Sequence, residues 1–254
     1  MKNEAVHALF KNYSEEEGMD IRFLGTGNGA RYFADFIQNG TYYADDAPDM
    51  MIKKGNEVII IEHFEFDSYH VSRKGSPARR EMARIQKAED SVEATEDGVL
   101  FSDEIKGKSS YQDLIANLCR SFREHYSRIP MYKENLRGYG LIDDTTQVKV
   151  MFLVEDVSPL GSIVVSRDRQ DSKMRPLIVL LCKEFLDLFR DSVDLDYVLA
   201  CSSAADQDFV WFADRNEIDE YYKHAVDYGK MIFLDFDVQV LGFKMTIPRN
   251  EDPR

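Results

Sequence analysis

The sequence is poor in the residues that mark several protein classes. It has 3 cysteines and 5 histidines in 254 residues. Cys119, Cys182 and Cys201 are far apart and lie among apolar residues, so they predict buried, reduced thiols and exclude a disulfide framework or a zinc site. No apolar run approaches the roughly 18 residues that span a bilayer. The N-terminus lacks the basic and apolar pattern of a signal peptide. We therefore expect a cytoplasmic protein without a membrane partner.

Positive charge is also scarce, because 32 Lys and Arg residues face 46 Asp and Glu residues, a formal net charge of −14. Such a charge opposes general attraction to nucleic acid. The exception is the segment 73–87, which we call the basic segment. Its positive residues are Arg73, Lys74, Arg79, Arg80, Arg84 and Lys87, opposed by Glu81.

A helix is predicted within the basic segment, because Ser76-Pro77 is a typical helix start and the pattern continues to about residue 88. Four side chains of this helix are candidate contacts to the phosphates of DNA or RNA: Arg79, Arg80, Arg84 and Lys87. The alternative is a solvated helix face that pairs with nearby acidic residues.

The order of the segments predicts one α/β domain over 1–254, with a mixed central sheet flanked by helices. A hairpin is expected from strands at 49–53 and 57–66, and a buried strand at 148–154. We predict a surface loop over 90–108 and an apolar helix that begins at Pro176 and runs to about residue 190.

The predicted hairpin carries the residues that suggest a reaction. Pro48-Asp49 begins its first strand, and its second strand ends in the run Glu-His-Phe-Glu-Phe over 62–66. Adjacent strands that deliver carboxylates to one edge of a sheet can hold a divalent cation, and such a cation activates water against phosphodiesters.

The order of helix, strand, Pro-Asp strand, Glu-terminated strand and helix resembles the core of the PD-(D/E)xK nuclease superfamily over roughly residues 2–90. The resemblance implies a restriction-endonuclease-like core, with 110–247 as a C-terminal α/β elaboration. It also implies that Asp49 and Glu62 bind Mg²⁺ or Mn²⁺, with His63 or Glu65 assisting, and that the protein hydrolyses phosphodiesters.

One position departs from that family pattern. Phe64 stands two residues after Glu62, where the superfamily carries a lysine that positions or activates the attacking water. A phenyl ring can neither transfer a proton nor stabilise a developing negative charge. Lys53, Lys74 or Arg79 could supply the cation, and we take Lys74 as the catalytic candidate. The alternative is a catalytically inactive relative that binds a protein partner, DNA or RNA.

Strand alternation divides the same run between two faces of the sheet. Glu62 shares one face with Phe64, while His63, Glu65 and Asp67 share the other. Imidazole and carboxylates together suit transition metals, so the second set is a metal-site candidate in its own right. The alternative to a metal site is that the strand leaves the core here and that its polar residues only contact solvent.

A glycine loop gives a third hypothesis. The pattern Gly25-x-Gly27-x-x-Ala30, with Asp45 downstream, fits a relaxed dinucleotide-binding motif. Such glycines let backbone amides approach a pyrophosphate. The preceding strand carries Asp20 and Arg22, however, whereas a central parallel strand is nearly all apolar. A plain turn is therefore the favoured interpretation of the loop.

Overall fold

Helices and strands alternate along the chain in the computed structural model, which describes residues 20–23, 25–44, 47–69, 77–92, 99–105, 109–158, 163–166, 174–202, 209–233 and 238–244. The strands are β1 (Asp20–Phe23), β2 (Thr41–Ala44), β3 (Met50–Lys54), β4 (Glu57–Phe66), β5 (Val99–Ile105), β6 (Gln147–Asp156), β7 (Ile163–Val165), β8 (Met174–Pro176), β9 (Tyr197–Ser202), β10 (Phe209–Asp214), β11 (Ile232–Phe233) and β12 (Val238–Lys244). The α-helices are α1 (Asn28–Asn39), α2 (Pro77–Ser91), α3 (Tyr111–Tyr126), α4 (Ile129–Gly138), α5 (Lys183–Asp191) and α6 (Ile218–Lys223).

Seven strands form a mixed sheet in the order β1-β10-β9-β6-β4-β3-β2. The central strands β4, β6 and β9 run parallel, while β2, β3 and β4 form an antiparallel meander. Strands β11, β7 and β8 form a small sheet, and β5 pairs with β12. The predicted α/β class, with a mixed sheet and flanking helices, is confirmed. Because β6 pairs with β4 over its whole length, residues of both chain halves share one sheet.

β4 is central because its residues are apolar on both faces. Val58 and Ile60 belong to the core cluster that includes Phe122 of α3, whereas Ile59 and Ile61 belong to the cluster that includes Phe33 and Phe36 of α1. A strand buried on both faces carries such a continuous apolar run. We call the two sides the α3 face and the α1 face. Residues 62, 64 and 66 of β4 continue the α3 face, and residues 63 and 65 continue the α1 face.

The structure agrees with several predictions and corrects two. The hairpin is confirmed as β3 and β4, and the three cysteines are buried as expected. The loop predicted over 90–108 was wrong, since β5 lies there and pairs with β12. The predicted start of the apolar helix at Pro176 was also wrong. Pro176 ends β8, a 3₁₀ turn follows at Val179–Leu181, and α5 begins only at Lys183 because the backbone of Cys182 is extended.

In the part of the chain described above, no helix is long and apolar enough to cross a membrane.

The turn from α1 into β2 requires glycine at position 40. A Cβ atom there would lie 2.5 Å from the Phe36 carbonyl oxygen and would also collide with Ile52. Because backbone cannot move aside as a flexible side chain can, we expect Gly40→Ala to lower the free energy of unfolding by about 1–3 kcal/mol in urea titrations. Gly138→Ala is the control, since a Cβ atom there would meet nothing within 4 Å beyond its own helix backbone and chain neighbours. An equal loss in both variants would contradict the steric explanation.

Candidate functional site

Acidic side chains are concentrated where the parallel strands β4, β6 and β9 end. We call this side of the sheet the carboxyl edge. In open α/β sheets, ligands bind in the crevice outside the carboxyl ends of the strands. The buried acidic residues in or just beyond the carboxyl-terminal halves of β4 and β6, or beside them, are Asp49, Glu62, Asp67, Glu155 and Asp156. Glu62 stands four residues before β4 ends, at the point where β3 begins on the neighbouring strand. Buried carboxylates are costly unless they are paired, hydrogen-bonded or bound to a metal, so the partners of each one indicate its role.

Asp49 and Glu62 lie next to each other, as the sequence predicts. Met50 pairs with Ile61 in the antiparallel register of β3 and β4, which places Asp49 opposite Glu62. The Asp49 backbone N–H donates to Glu62 Oε2 at 3.3 Å, and the His63 backbone N–H donates to Asp49 Oδ2 at 2.9 Å. Both side chains belong to residues that are at most 5% exposed. We call these two residues the Asp49–Glu62 pair.

Two side chains from the helical layer complete this cluster. His125 Nδ1 of α3 lies 2.7 Å from Glu62 Oε1, and the Tyr132 hydroxyl of α4 donates to the same oxygen at 2.6 Å. Burial, followed by the hydrogen bond to Glu62, raises the pKa of Tyr132 above its usual value, so its hydroxyl stays protonated and remains a donor. One oxygen of Glu62 therefore accepts two protein contacts, while the other faces Asp49.

The sequence interpretation missed both His125 and Tyr132. A signal for His125 was present, because it follows Leu118 and Phe122 at helical spacing and so lies on the buried face of α3. No local pattern indicated that this face would lie against Glu62.

Phe64 is part of the aromatic core. Its ring stacks on the His125 imidazole with a centroid distance of 5.0 Å and an interplanar angle of 20°. It also contacts the edges of Phe122 and Phe152. The His125 imidazole of α3 thus lies over the Phe64 ring.

The three cations proposed to replace that lysine have different positions. Lys53 Nζ donates to the Leu141 carbonyl oxygen at 2.7 Å, which holds it away from Glu62. Lys74 lies outside the described residues. Arg79 lies in α2, and its side chain is likewise outside the described part of the structure.

A second cluster lies on the opposite, α1 face of the sheet. Ligand atoms of His63, Glu65 and Glu155 all lie within 4.8 Å of one another, and His63 Nε2 is 3.0 Å from Glu155 Oε2. His63 and Glu65 are the residues that strand alternation predicts, and Glu155 comes from β6. We call these residues the His63 triad. Asp67 does not join it, because its Oδ1 accepts hydrogen bonds from the Tyr69 backbone N–H and the Asn117 amide.

The basic helix is present as α2, which packs beside β5. Arg80, Arg84 and Lys87 are exposed, while Ile85 between them is buried. The exposed positive side chains therefore share the outer side of the helix, and Arg79 belongs to the same helix.

The glycine loop lies against the chain's own carboxylates. Both carboxylate oxygens of Glu217 lie 3.1 Å from the Thr26 backbone nitrogen, and the Thr26 hydroxyl also donates to Glu217. A Cβ atom at Gly25 would collide with Glu217, and one at Gly29 would lie 2.6 Å from Asp214 Oδ2. A pyrophosphate at this helix start would have to displace Glu217, so the close approach of these acidic side chains accounts for the glycines.

Comparisons with known proteins give no relative from which a role could be transferred: no family model, curated protein or solved structure matches the chain. The chemistry of the carboxyl edge is therefore the basis for a functional proposal.

Proposed function

We propose that this chain is a divalent-metal-dependent phosphodiesterase of the nuclease type, which acts at the Asp49–Glu62 pair. The observation that carries the proposal is the meeting of two buried carboxylates and the His125 imidazole at the carboxyl edge. In metal-assisted hydrolysis, carboxylates can hold the ion and a neighbouring side chain can transfer a proton, and this site offers both kinds of group.

The order of elements around the pair supports the resemblance to the PD-(D/E)xK core. Helix α1 precedes β2, Pro48-Asp49 leads directly into β3, and Glu62 lies in β4. Helix α3 then packs on β4 and supplies His125. The proposed core thus begins at α1, and its second helix is α3, because the basic helix α2 lies beside β5 instead.

The donor atoms of the pair fit a hard divalent cation. Mg²⁺ takes one or two carboxylates and fills its remaining positions with water and substrate phosphate. Glu62 Oε1 is contacted by two side chains, His125 and Tyr132, whereas Glu62 Oε2 and Asp49 Oδ2 accept backbone N–H groups. Glu62 Oε2 and the Asp49 carboxylate are therefore the groups that would hold the ion. The bound ion would activate water and neutralise charge on the phosphoryl oxygens.

His125 is the group proposed to replace the missing lysine. Its contact with Glu62 and its stacking on Phe64 fix the ring from two sides. Because Nδ1 faces Glu62, the opposite ring nitrogen, Nε2, is the atom through which His125 would exchange a proton with the attacking water or the leaving group. Tyr132 holds Glu62 in place and keeps its own proton, since burial and the hydrogen bond to Glu62 raise its pKa.

Helix α2 supports a nucleic-acid substrate. A chain with a net charge of −14 needs a local positive surface to approach a polyanion. Arg80, Arg84 and Lys87 are exposed on α2 and offer that surface. Contacts of this kind hold phosphates without reading bases, so we propose cleavage with little sequence preference.

The same core without catalysis is the second candidate. Phe64 cannot perform the chemistry of lysine, and the contacts of Glu62 with His125 and Tyr132 also suit a purely structural carboxylate. In that case the protein would act as a binding module for nucleic acid or a protein partner.

Cleavage assays separate the two candidates. We expect wild-type protein with Mg²⁺ or Mn²⁺ to cut labelled single- or double-stranded DNA or RNA, and Asp49→Asn and Glu62→Gln to reduce the rate by about 10²–10³-fold. Glu57→Gln is the control, because Glu57 lies at the other end of β4. Cleavage that survives in both edge variants, or that is absent from the wild type with every substrate and ion, would contradict the proposal.

A further inference from the structure

The α1 face of the carboxyl edge holds a set of ligand atoms that the proposed reaction does not use. The donor atoms of His63, Glu65 and Glu155 lie within 4.8 Å of one another. Ligand bonds of about 2.0–2.2 Å around one ion bring donor atoms to roughly 3–4 Å from each other. The observed spacing therefore needs only small side-chain adjustments to become a coordination sphere.

The charges of the triad point to a bound cation. Glu65 and Glu155 stand directly opposite each other in the parallel register of β4 and β6, so their side chains leave the same face of the sheet. Like charges in this arrangement repel. The Glu155 side chain is only 9% exposed and lies 3.0 Å from His63 Nε2, so the imidazole already partners one of the two carboxylates. A divalent ion between the two carboxylates would turn this repulsion into attraction.

The backbone under the triad is rigid. β4 is hydrogen-bonded to β3 and β6, and β6 is hydrogen-bonded to β4 and β9. Ile61, Leu153 and Leu199 form an apolar cluster on the same face. Ligands on paired strands are held more precisely than ligands on loops. Glu65 is the most exposed residue of the triad, and Glu155 is the most buried.

We propose that His63, Glu65 and Glu155 form a transition-metal site, separate from the Asp49–Glu62 pair and on the opposite face of β4. One imidazole and two carboxylates suit Mn²⁺, Fe²⁺ or Zn²⁺ better than Mg²⁺ or Ca²⁺, which prefer all-oxygen ligands. Three protein ligands leave positions for water or an oxyanion. The site goes beyond the proposed phosphodiesterase activity and does not depend on it.

The two faces are joined through the backbone of His63. Its N–H donates to Asp49 Oδ2, while its ring faces Glu155. The test must therefore report which histidine binds the ion, and not only that an ion binds.

Pulsed electron paramagnetic resonance on the full chain with Mn²⁺ alone gives that information, because it detects the nitrogen of a directly bound imidazole. We expect a nitrogen coupling in wild-type protein. It should vanish in His63→Gln, and the Mn²⁺ dissociation constant measured by calorimetry should rise at least about tenfold in His63→Gln and in Glu155→Gln. Circular dichroism spectra would show that each variant is folded.

Glu62→Gln and His125→Ala are the matched controls on the opposite face, and both should keep the nitrogen coupling. Absence of a nitrogen coupling in the wild type, or a coupling that survives in His63→Gln and disappears in His125→Ala, would overturn the site. Absence of nuclease activity from the wild-type protein, with its nitrogen coupling intact, would instead count against the proposed function alone.

Discussion

Glu62→Ala is expected to lower the free energy of unfolding by about 3 kcal/mol, because each buried donor left without an acceptor costs about 1–3 kcal/mol. The substitution leaves the Tyr132 hydroxyl, the Asp49 backbone N–H and the His125 ring without their common acceptor. The residue before β3 and the helices α3 and α4 would each lose a polar contact with β4. Urea denaturation at neutral pH, followed by tryptophan fluorescence and circular dichroism, measures the change.

Glu57→Ala is a matched control for the stability experiment. Glu57 lies on the same strand and also accepts a tyrosine hydroxyl, from Tyr32 at 2.6 Å, but it is only half-buried. We expect its loss to cost about 1 kcal/mol, the usual value of one hydrogen bond. Equal losses in the two variants would show that Glu62 is not the buried anchor described above.

His125→Ala is expected to reduce the cleavage rate by about 10²–10⁴-fold, which is the usual contribution of a general acid or base. The control is His224→Ala, which removes an exposed histidine. Added imidazole should restore part of the rate if the missing group transferred a proton, since the cavity left by the ring can admit it. A folded variant that keeps the wild-type rate would exclude His125 from the chemistry.

Rescue by imidazole also distinguishes proton transfer by His125 from a role in which His125 only positions Glu62. If His125 only positioned Glu62, the rate would fall together with the stability, and free imidazole would change neither. The ring stacks on Phe64, so its loss also affects core packing. Stability and rate must therefore be measured on the same preparations.

The sequence was informative wherever an apolar pattern was regular. Alternation along β4 predicted which residues face each side, and it correctly separated Glu62 from His63 and Glu65. Pro48-Asp49 placed the other carboxylate at the neighbouring strand. The central α/β arrangement followed from the same patterns.

The partners of these residues could not be predicted, because they are remote in the chain. His125 is 63 residues from Glu62, and Glu155 is 92 residues from His63. Their meeting depends on α3 packing on one face and on β6 pairing in one particular register. Neither the packing face of α3 nor the register of β6 can be recognised from a local sequence pattern.

The glycine loop shows the opposite case, in which a local motif suggested a ligand. Glycines permit a close approach of the backbone by any group, and here the approaching group is Glu217 of the same chain. The motif therefore predicted correctly that a group approaches the glycine backbone closely, but it did not predict that this group is Glu217.

Crystals grown with Mn²⁺ and a non-cleavable phosphorothioate oligonucleotide would test the central claim most directly, through anomalous scattering from the metal. The account predicts a peak within coordination distance of the Asp49 and Glu62 carboxylates, next to a substrate phosphate. It predicts no such peak in Asp49→Asn crystals. Bound oligonucleotide with no metal at the Asp49–Glu62 pair would contradict the account. So would crystals in which neither Mn²⁺ nor oligonucleotide is bound and Glu62 keeps its contacts with His125 and Tyr132.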